Sequence, residues 1–401
     1  MGSATTKAYI LTHGVEFSDS ALVHATHVRA KGQNLVYNAP RLGNLAGRPQ
    51  EMLLTDEDGY TVCVSAVAPV PGRAPARVTY EERLVVVTPD QPQLTAGVSA
   101  RFVIRPRYYD APRASGMPMT RLISACGLDE LNVWPWHDCA VRGTCSFCGI
   151  NKVSHATSQE EFSSLAVRDS SALEAWTTHQ ERYLRELTVA VENALADQCY
   201  DEHVHMILIS GNLADDHLDD QATIYGRIAS ALRNLPGSHR FSEGIVAVTA
   251  PPRNLAALAE MKAMGVDVVV LNLEAYTPDA FRRHCPGKHH IGRDHYLRAL
   301  KEAVRVFGWG LSWSNFVLGL ESAKDLLAGC ETLAGMGITP GANALHLDVG
   351  GSSTLEPPDF KTVVSFYREL AEIYRRNDLR PYYCSKALRT SLANEAFQGR
   401  L

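Results

Sequence analysis

Three thiols fall within ten residues at Cys139-Ala-Val-Arg-Gly-Thr-Cys145-Ser-Phe-Cys148, a Cys-x5-Cys-x2-Cys spacing that directly follows the apolar run 131–136. Thiolates bind soft metal centres, and cysteines this close on one loop can converge on a single centre. The count of three is informative. A closed structural zinc site wants four ligands, whereas a 4Fe–4S cluster held by three cysteines keeps one iron open to another molecule. Gly143 and Gly149 let the backbone bend tightly there. Two other readings fit the same residues: a zinc site completed by His137 or a distant Cys, and a disulfide framework. The second is disfavoured because the nine cysteines are odd in number and otherwise scattered.

A loop of this kind has to be carried by an ordered frame, and the chain downstream supplies one. Strands are expected at 131–136, 204–210, 244–249, 266–273, 312–320 and 342–349, alternating with helices at 172–196, 221–235, 254–264, 293–306, 323–336 and 359–376. The helices place apolar residues at three- and four-residue spacing, as in Leu255, Leu258, Met261 and Met264. The strands are nearly continuous apolar runs, as required where both faces are covered. Six βα units in succession predict an α/β fold, a partial (βα)6 TIM-like barrel with right-handed crossovers, open on one side. Chemistry in such folds sits at the C-terminal ends of the strands, where the cysteine loop falls. Before the barrel, the runs 61–67, 83–88 and 99–104 are β-rich and separated by turn signals, which predicts a small N-terminal β-rich domain. The domains expected are 1–118, 119–350 for the barrel core with a linker at 112–118 before it, and 351–401 for the last barrel helix and a C-terminal extension whose 382–384 stretch covers one end.

With 401 residues, 45 % of them hydrophobic and 21 % charged, the chain can bury a large core. A net charge of −5 argues against a nucleic-acid binder or an anionic-membrane binder. No apolar run is long enough to span a bilayer and 1–14 lacks a signal-peptide core, so the expectation is a cytoplasmic protein with reduced thiols.

A three-cysteine loop after the first strand of such a barrel resembles the radical S-adenosylmethionine (SAM) superfamily. The usual spacing there is three then two; five then two occurs in a branch that includes enzymes building the iron-guanylylpyridinol cofactor, which in turn resembles the biotin synthase and hydrogenase maturase group. The resemblance covers 131–349. It implies a 4Fe–4S cluster on Cys139, Cys145 and Cys148, with Phe147, the aromatic before the third cysteine, near the adenine. Ser210-Gly211-Asn212 stands where the family has a Gly-Gly-Glu-like turn that receives the SAM ammonium; it lacks the acid, for which Asp215 or Asp216 could stand in, although acids before a helix are commonly caps. Asn272-Leu-Glu274 is similar to the Asn-Leu-Asp that contacts the ribose in the biotin synthase group. An acid and an arginine placed like Glu274 and Arg293 grip the two ends of the SAM amino-acid moiety, and a carboxylate does suit an ammonium as a guanidinium fork suits a carboxylate. Asn315 is expected to point into the barrel if Ser314 does not. Lys288, His289 and His290 form a polar cluster on a loop at the active face, beside Cys285, which is either a hydrogen donor or a packing residue. His346 and Asp348 share one face of the last strand as a core hydrogen-bonded pair or a site.

The implied activity is reductive cleavage of SAM to a 5′-deoxyadenosyl radical that takes hydrogen from a small-molecule biosynthetic intermediate, leading to rearrangement, carbon–carbon bond formation or methylation. An external electron donor such as flavodoxin or ferredoxin is implied with it. Two alternatives stand beside this: transfer of a methyl or aminocarboxypropyl group from SAM, and, from another class, a zinc-stabilised binding protein.

Overall fold

The computed structural model describes residues 2–29, 48–111, 116, 119–136, 138–148, 171–197, 200, 203–346, 355–381 and 388–401. The expected linker, apart from Gly116, and the 382–384 stretch lie outside them, as do His137, Gly149 and Asp348.

The chain starts in a helix, α1 (Ser3–His13), where sequence texture suggested only strands. Ala4, Ala8, Tyr9, Ile10 and Leu11 are all buried, and so are Ser3, Thr6 and Lys7, so the helix is covered all round and leaves no one-sided apolar stripe to read. Lys7 is buried as an ion pair, its Nζ 2.5 Å from Glu395 Oε1. There follow β1 (Val15–Phe17), α2 (Asp19–Val23), β2 (Glu51–Thr55), β3 (Thr61–Ser65), β4 (Ala76–Glu81), β5 (Arg83–Val87) and β6 (Ser99–Phe102). They form a six-stranded sheet of order β1-β4-β5-β6-β2-β3, antiparallel except for the β1–β4 pair.

The second sheet has seven strands rather than the six expected. The additional one is β7 (Ile123–Cys126), which pairs antiparallel with β8 (Glu130–Val133) at one edge. From β8 onward the chain winds in strict sequence: α3 (Ser171–Leu195), β9 (Val204–Ile209), α4 (Leu218–Arg233), β10 (Phe241–Val248), α5 (Ala257–Ala263) and β11 (Val268–Val270). Here two short helices intervene, α6 (Pro278–His284) and α7 (Pro286–Ile291), before α8 (Arg293–Phe307). The series closes with β12 (Ser312–Leu318), α9 (Ala323–Ala334), β13 (Ile338–Ala344), α10 (Phe360–Arg376) and a last short helix, α11 (Ala393–Phe397). Every neighbouring pair from β8 to β13 is parallel, and the order β13-β12-β11-β10-β9-β8-β7 is that of a curled, incomplete (βα)6 barrel.

The two faces of the sheet separate cleanly. Met206, Leu208, Ile245, Val269, Leu271, Phe316 and Leu318 join the helix-covered core, while Ile207, Val246, Val268, Val270 and Trp313 pack together on the inner face. By strand alternation Asn272, Glu274, Asn315 and Val317 continue that inner face toward the C-terminal mouth. Asn315 therefore does face inward, and Ser314 turns out, its Oγ accepting the Leu273 N–H at 3.0 Å.

The open side of the barrel is spanned by the N-terminal sheet and the segment 388–390. Thr390 O accepts from Ala344 N at the β13 edge, and Arg389 O accepts from Ser65 N on β3. Near the β7 edge, the fully buried Glu51 carboxylate takes the Gly127 N–H at 3.3 Å, lies 3.4 Å from Arg389 Nη1 and pairs with buried Arg29.

Candidate active site

The cysteine loop leaves β8 at the C-terminal mouth and lies against the end of β9. Ala140 N–H donates to Asn212 O at 2.8 Å, and Asn212 N–H donates to Cys139 Sγ at 3.3 Å. Gly211 is required by this approach: a Cβ there would fall 2.3 Å from Cys139 Cβ and 2.4 Å from the Asp138 carbonyl oxygen, a clash with backbone. Trp136 Nε1 donates to Gly211 O at 2.8 Å, and Ser210 Oγ donates to Trp136 O at 2.8 Å, so the two strand ends are stitched together.

Cys139 and Cys145 are buried and Cys148 is partly exposed. Burial pushes the Cys139 thiol up, against hydrogen bonds from Asn212 and Val141 that lower it. A hydrogen bond from Cys285 pulls Cys145 down, with Lys288 adding in the same direction. Among the described residues no three Cys, His, Asp or Glu groups are already gathered as a metal site. Phe147 packs against the apolar patch of Ala275, Ala280, Val317, Leu320 and Leu345, at the last residues of β12 and beyond the end of β11.

Opposite the cysteines, the segment that leaves β11 carries a strained residue. Glu274 sits at φ +69°, a left-handed conformation that costs a side-chain-bearing residue about 1–2 kcal/mol. It is held there by β12, with Glu274 N donating to Asn315 O at 3.0 Å and Val317 N donating to Glu274 O at 2.8 Å. Its carboxylate accepts from Lys288 Nζ at 2.6 Å, and the same ammonium donates to Asn272 O at 2.9 Å. Burial would lower the Lys288 ammonium, but the Glu274 carboxylate, with Tyr296, Cys145 and Cys285 acting in the same direction, raises it further and holds the lysine charged. Asn272 Oδ1 in turn accepts the Asn315 N–H at 3.0 Å, which fixes both asparagines across the β11–β12 seam.

Arg293 opens α8. Its guanidinium lies over the Tyr276 ring, 5.1 Å from the centroid, and Nε donates to Tyr276 O at 2.9 Å. Its terminal nitrogens have no partner among the described residues. Tyr276 is itself placed by Glu321, whose carboxylate accepts the Tyr276 and Thr277 N–H groups at 2.5 and 2.9 Å.

Several expected positions fall elsewhere. Asp215 pairs with Arg253, Asp216 is exposed, and neither makes a side-chain cap for the turn before α4. Lys288, His289 and His290 stand on α7, a helix, and Cys285 at its junction with α6. Pro278 and Pro286 each begin one of these helices, which a reading for long periodic segments passes over. His346 lies past the end of β13, with Nδ1 3.0 Å from Ala344 O. Tyr276 and Glu321 are site-forming residues that sequence reasoning missed, and Lys288, placed by it only in a polar loop cluster, is a third. The proline-led α7 was the available signal for Lys288, whereas nothing in the sequence marks the Tyr276–Arg293 stack.

Residues 135–332 match the profile of the radical SAM superfamily. Those residues form a radical SAM domain. A relative, the bacteriochlorophyllide c C-7(1)-hydroxylase of Chlorobaculum limnaeum, is 23 % identical over 269 residues, which span 65 % of this chain and 63 % of that enzyme. A solved structure of the FeFe-hydrogenase maturase HydG from Carboxydothermus hydrogenoformans aligns at TM-score 0.42 and 14 % identity, over 63 % of this chain and 52 % of that one. A second HydG structure aligns at TM-score 0.39 and 14 % identity, covering 62 % and 50 %.

Radical SAM enzymes use a 4Fe–4S cluster and SAM, and this mouth has the donors for them. Three thiols on one loop match a cluster with an open iron. Asn212 Nδ2, buried beside Cys139 and without a hydrogen-bond partner among the described residues, is an N–H donor awaiting an acceptor. No helix among the described residues is long and apolar enough to cross a membrane.

Proposed function

We propose that this chain is a radical SAM enzyme that takes a hydrogen atom from a small-molecule biosynthetic intermediate. The observation that carries the reading is the convergence of the cysteine loop, the orphaned Asn212 amide and the Glu274–Arg293 pair of opposite charges on one mouth of the barrel. Cys139, Cys145 and Cys148 hold the cluster. A cluster bound there with SAM would, with an external electron donor of the flavodoxin or ferredoxin kind, supply the one-electron chemistry that yields a 5′-deoxyadenosyl radical.

The chain's own residues orient and enclose. Glu274 offers a carboxylate to the SAM ammonium, and Arg293, immobilised on Tyr276, offers its free fork to the SAM carboxylate. Gly211 and Asn212 line the same end, Asn272 and Asn315 present the polar inner face to the ribose, and Phe147 offers a flat apolar face to the adenine. Below them Trp313 and its valine and isoleucine neighbours fill the barrel floor, which keeps water from the reacting centre. Hydroxylation, the activity named for the Chlorobaculum limnaeum relative, also acts at a C–H bond, in line with hydrogen abstraction here.

Equilibrium binding of SAM to anaerobically reconstituted protein tests the placement. Arg293→Met and Glu274→Gln each remove one charged contact, worth about 1.5–3 kcal/mol, so each should weaken SAM binding by roughly tenfold to a hundredfold. Undiminished affinity in both variants would refute the site.

A further inference from the structure

The ring beneath Arg293 is held from several sides by a single βα unit, β12 and α9. Glu321, just past the end of β12, takes the Tyr276 and Thr277 N–H groups with its two carboxylate oxygens. Phe316 on β12 meets the Tyr276 ring edge-on, with centroids 6.5 Å apart and planes at 72°. On α9 the ring fits against Gly329, where a Cβ would collide with its Cγ and both Cδ atoms. A glycine inside a helix weakens that helix, so Gly329 trades helix stability for room to seat the ring. The Tyr276 hydroxyl, by contrast, makes no hydrogen bond among the described residues, so the fold seats the ring and not the phenol. Arg293 Cζ lies 5.1 Å from the ring centroid and Nε donates to the Tyr276 carbonyl, which leaves the two terminal nitrogens of the fork facing outward for a ligand.

We propose that Tyr276 is a positioning residue for the SAM carboxylate, its ring holding the Arg293 guanidinium in the orientation from which the fork meets that carboxylate. The proposal rests on the reading of Arg293 as the carboxylate's partner. An arginine side chain is long and rotamer-rich, and fixing its fork in advance removes an ordering cost from binding. An aromatic face attracts the guanidinium through its plane and leaves its N–H edge available to an anion. Leucine at 276 would keep the backbone carbonyl that Nε reaches and an apolar side chain, but it has no such face.

The test is equilibrium binding of SAM, and of decarboxylated SAM, to anaerobically reconstituted wild type, Tyr276→Leu, Tyr276→Phe and Gly329→Ala. Tyr276→Leu should bind SAM roughly threefold to thirtyfold more weakly than wild type and decarboxylated SAM equally well. Tyr276→Phe, which keeps the ring, should restore SAM binding. Gly329→Ala displaces the ring without removing it, so it should show the same selective loss, and it serves if the leucine variant does not fold. Added to Arg293→Met, the Tyr276→Leu change should weaken binding no further, because the ring acts through the guanidinium. Undiminished SAM affinity in both Tyr276→Leu and Gly329→Ala would overturn the proposal. Equal weakening of the two ligands would do the same, since it marks a general structural role, as would a loss in Tyr276→Phe as large as in Tyr276→Leu. Undiminished SAM affinity in Arg293→Met would instead overturn the functional reading on which the proposal stands.

Discussion

Glu274 is a carboxylate in a backbone conformation that side chains avoid, pinned on both backbone groups by β12 and held at its tip by Lys288. Strain of this sort persists only where the surroundings over-determine it, and it gathers at sites of function. Removing the lysine with Lys288→Met would leave a largely buried carboxylate unpaired, at a cost of roughly 3 kcal/mol. The expected outcome is a clearly lower unfolding midpoint in denaturant, with much of the loss recovered in the Lys288→Met/Glu274→Gln double variant. Additive losses in the double variant would argue that the two side chains act independently. At this scale the sequence was legible for residue type and not for geometry. Glu274 stood out because a charge closing an apolar strand is seldom idle, and Arg293 because the resemblance pairs an acid there with an arginine at the start of the next helix. The positive φ of Glu274 and its capture by Lys288 depend on contacts across 14 residues and on β12, which no local pattern encodes.

At the scale of elements, the site is made by strand ends that touch. Gly211 lets the end of β9 meet the cysteine loop, so Gly211→Ala should push Cys139 away. That variant is expected to fold, with an unchanged far-ultraviolet circular dichroism spectrum, and to take up clearly less iron than wild type on reconstitution. Full loading would show that the approach is not needed for the cluster. The long helices α8 and α10 and the buried parallel strands were readable from spacing, because each has one constant environment along its length. The elements that escaped are those without such a signature. Helix α1 is covered on every side, β7 is four residues of a hairpin, and α6 and α7 are one or two turns each. Strand β13 begins at Ile338, earlier than expected, because Pro340 and Gly341 interrupt the apolar run while their inner-face neighbours still pair along all of β12.

At the scale of the molecule, the N-terminal sheet and the 388–390 segment close the barrel's open side around a buried charge network of Arg29, Glu51 and Arg389. Glu51→Gln would take from the buried Arg29 guanidinium the carboxylate it pairs with, and a loss of about 3–5 kcal/mol is expected, read as a large fall in thermal midpoint. Glu130 lies at the same seam. Burial raises its carboxyl to about 7, Asp129 adds to the rise, and Asn132, Arg389 and Cys126 oppose it. Its folded value is above that of an unfolded Glu, so its contribution is full below the ordinary Glu range and is lost as pH rises through about 7. Glu130→Gln, a mimic of the protonated form, should therefore melt above wild type at pH 8 and close to it at pH 5. An advantage confined to acid pH would reverse this assignment. None of this closure was visible in the sequence, because Arg29, Glu51 and Arg389 are far apart in the chain and each reads alone as a surface charge.

The central claim is that the mouth of this barrel carries a SAM-cleaving cluster, and one anaerobic experiment addresses it most directly. Reconstituted protein would be assayed for iron and labile sulfide, then reduced with dithionite in the presence of SAM and its products separated by chromatography. The account predicts a brown, oxygen-sensitive protein with the iron and sulfide of one 4Fe–4S cluster, absent from Cys139→Ala, Cys145→Ala and Cys148→Ala, and formation of 5′-deoxyadenosine. A colourless protein holding zinc, with SAM left intact, would contradict it.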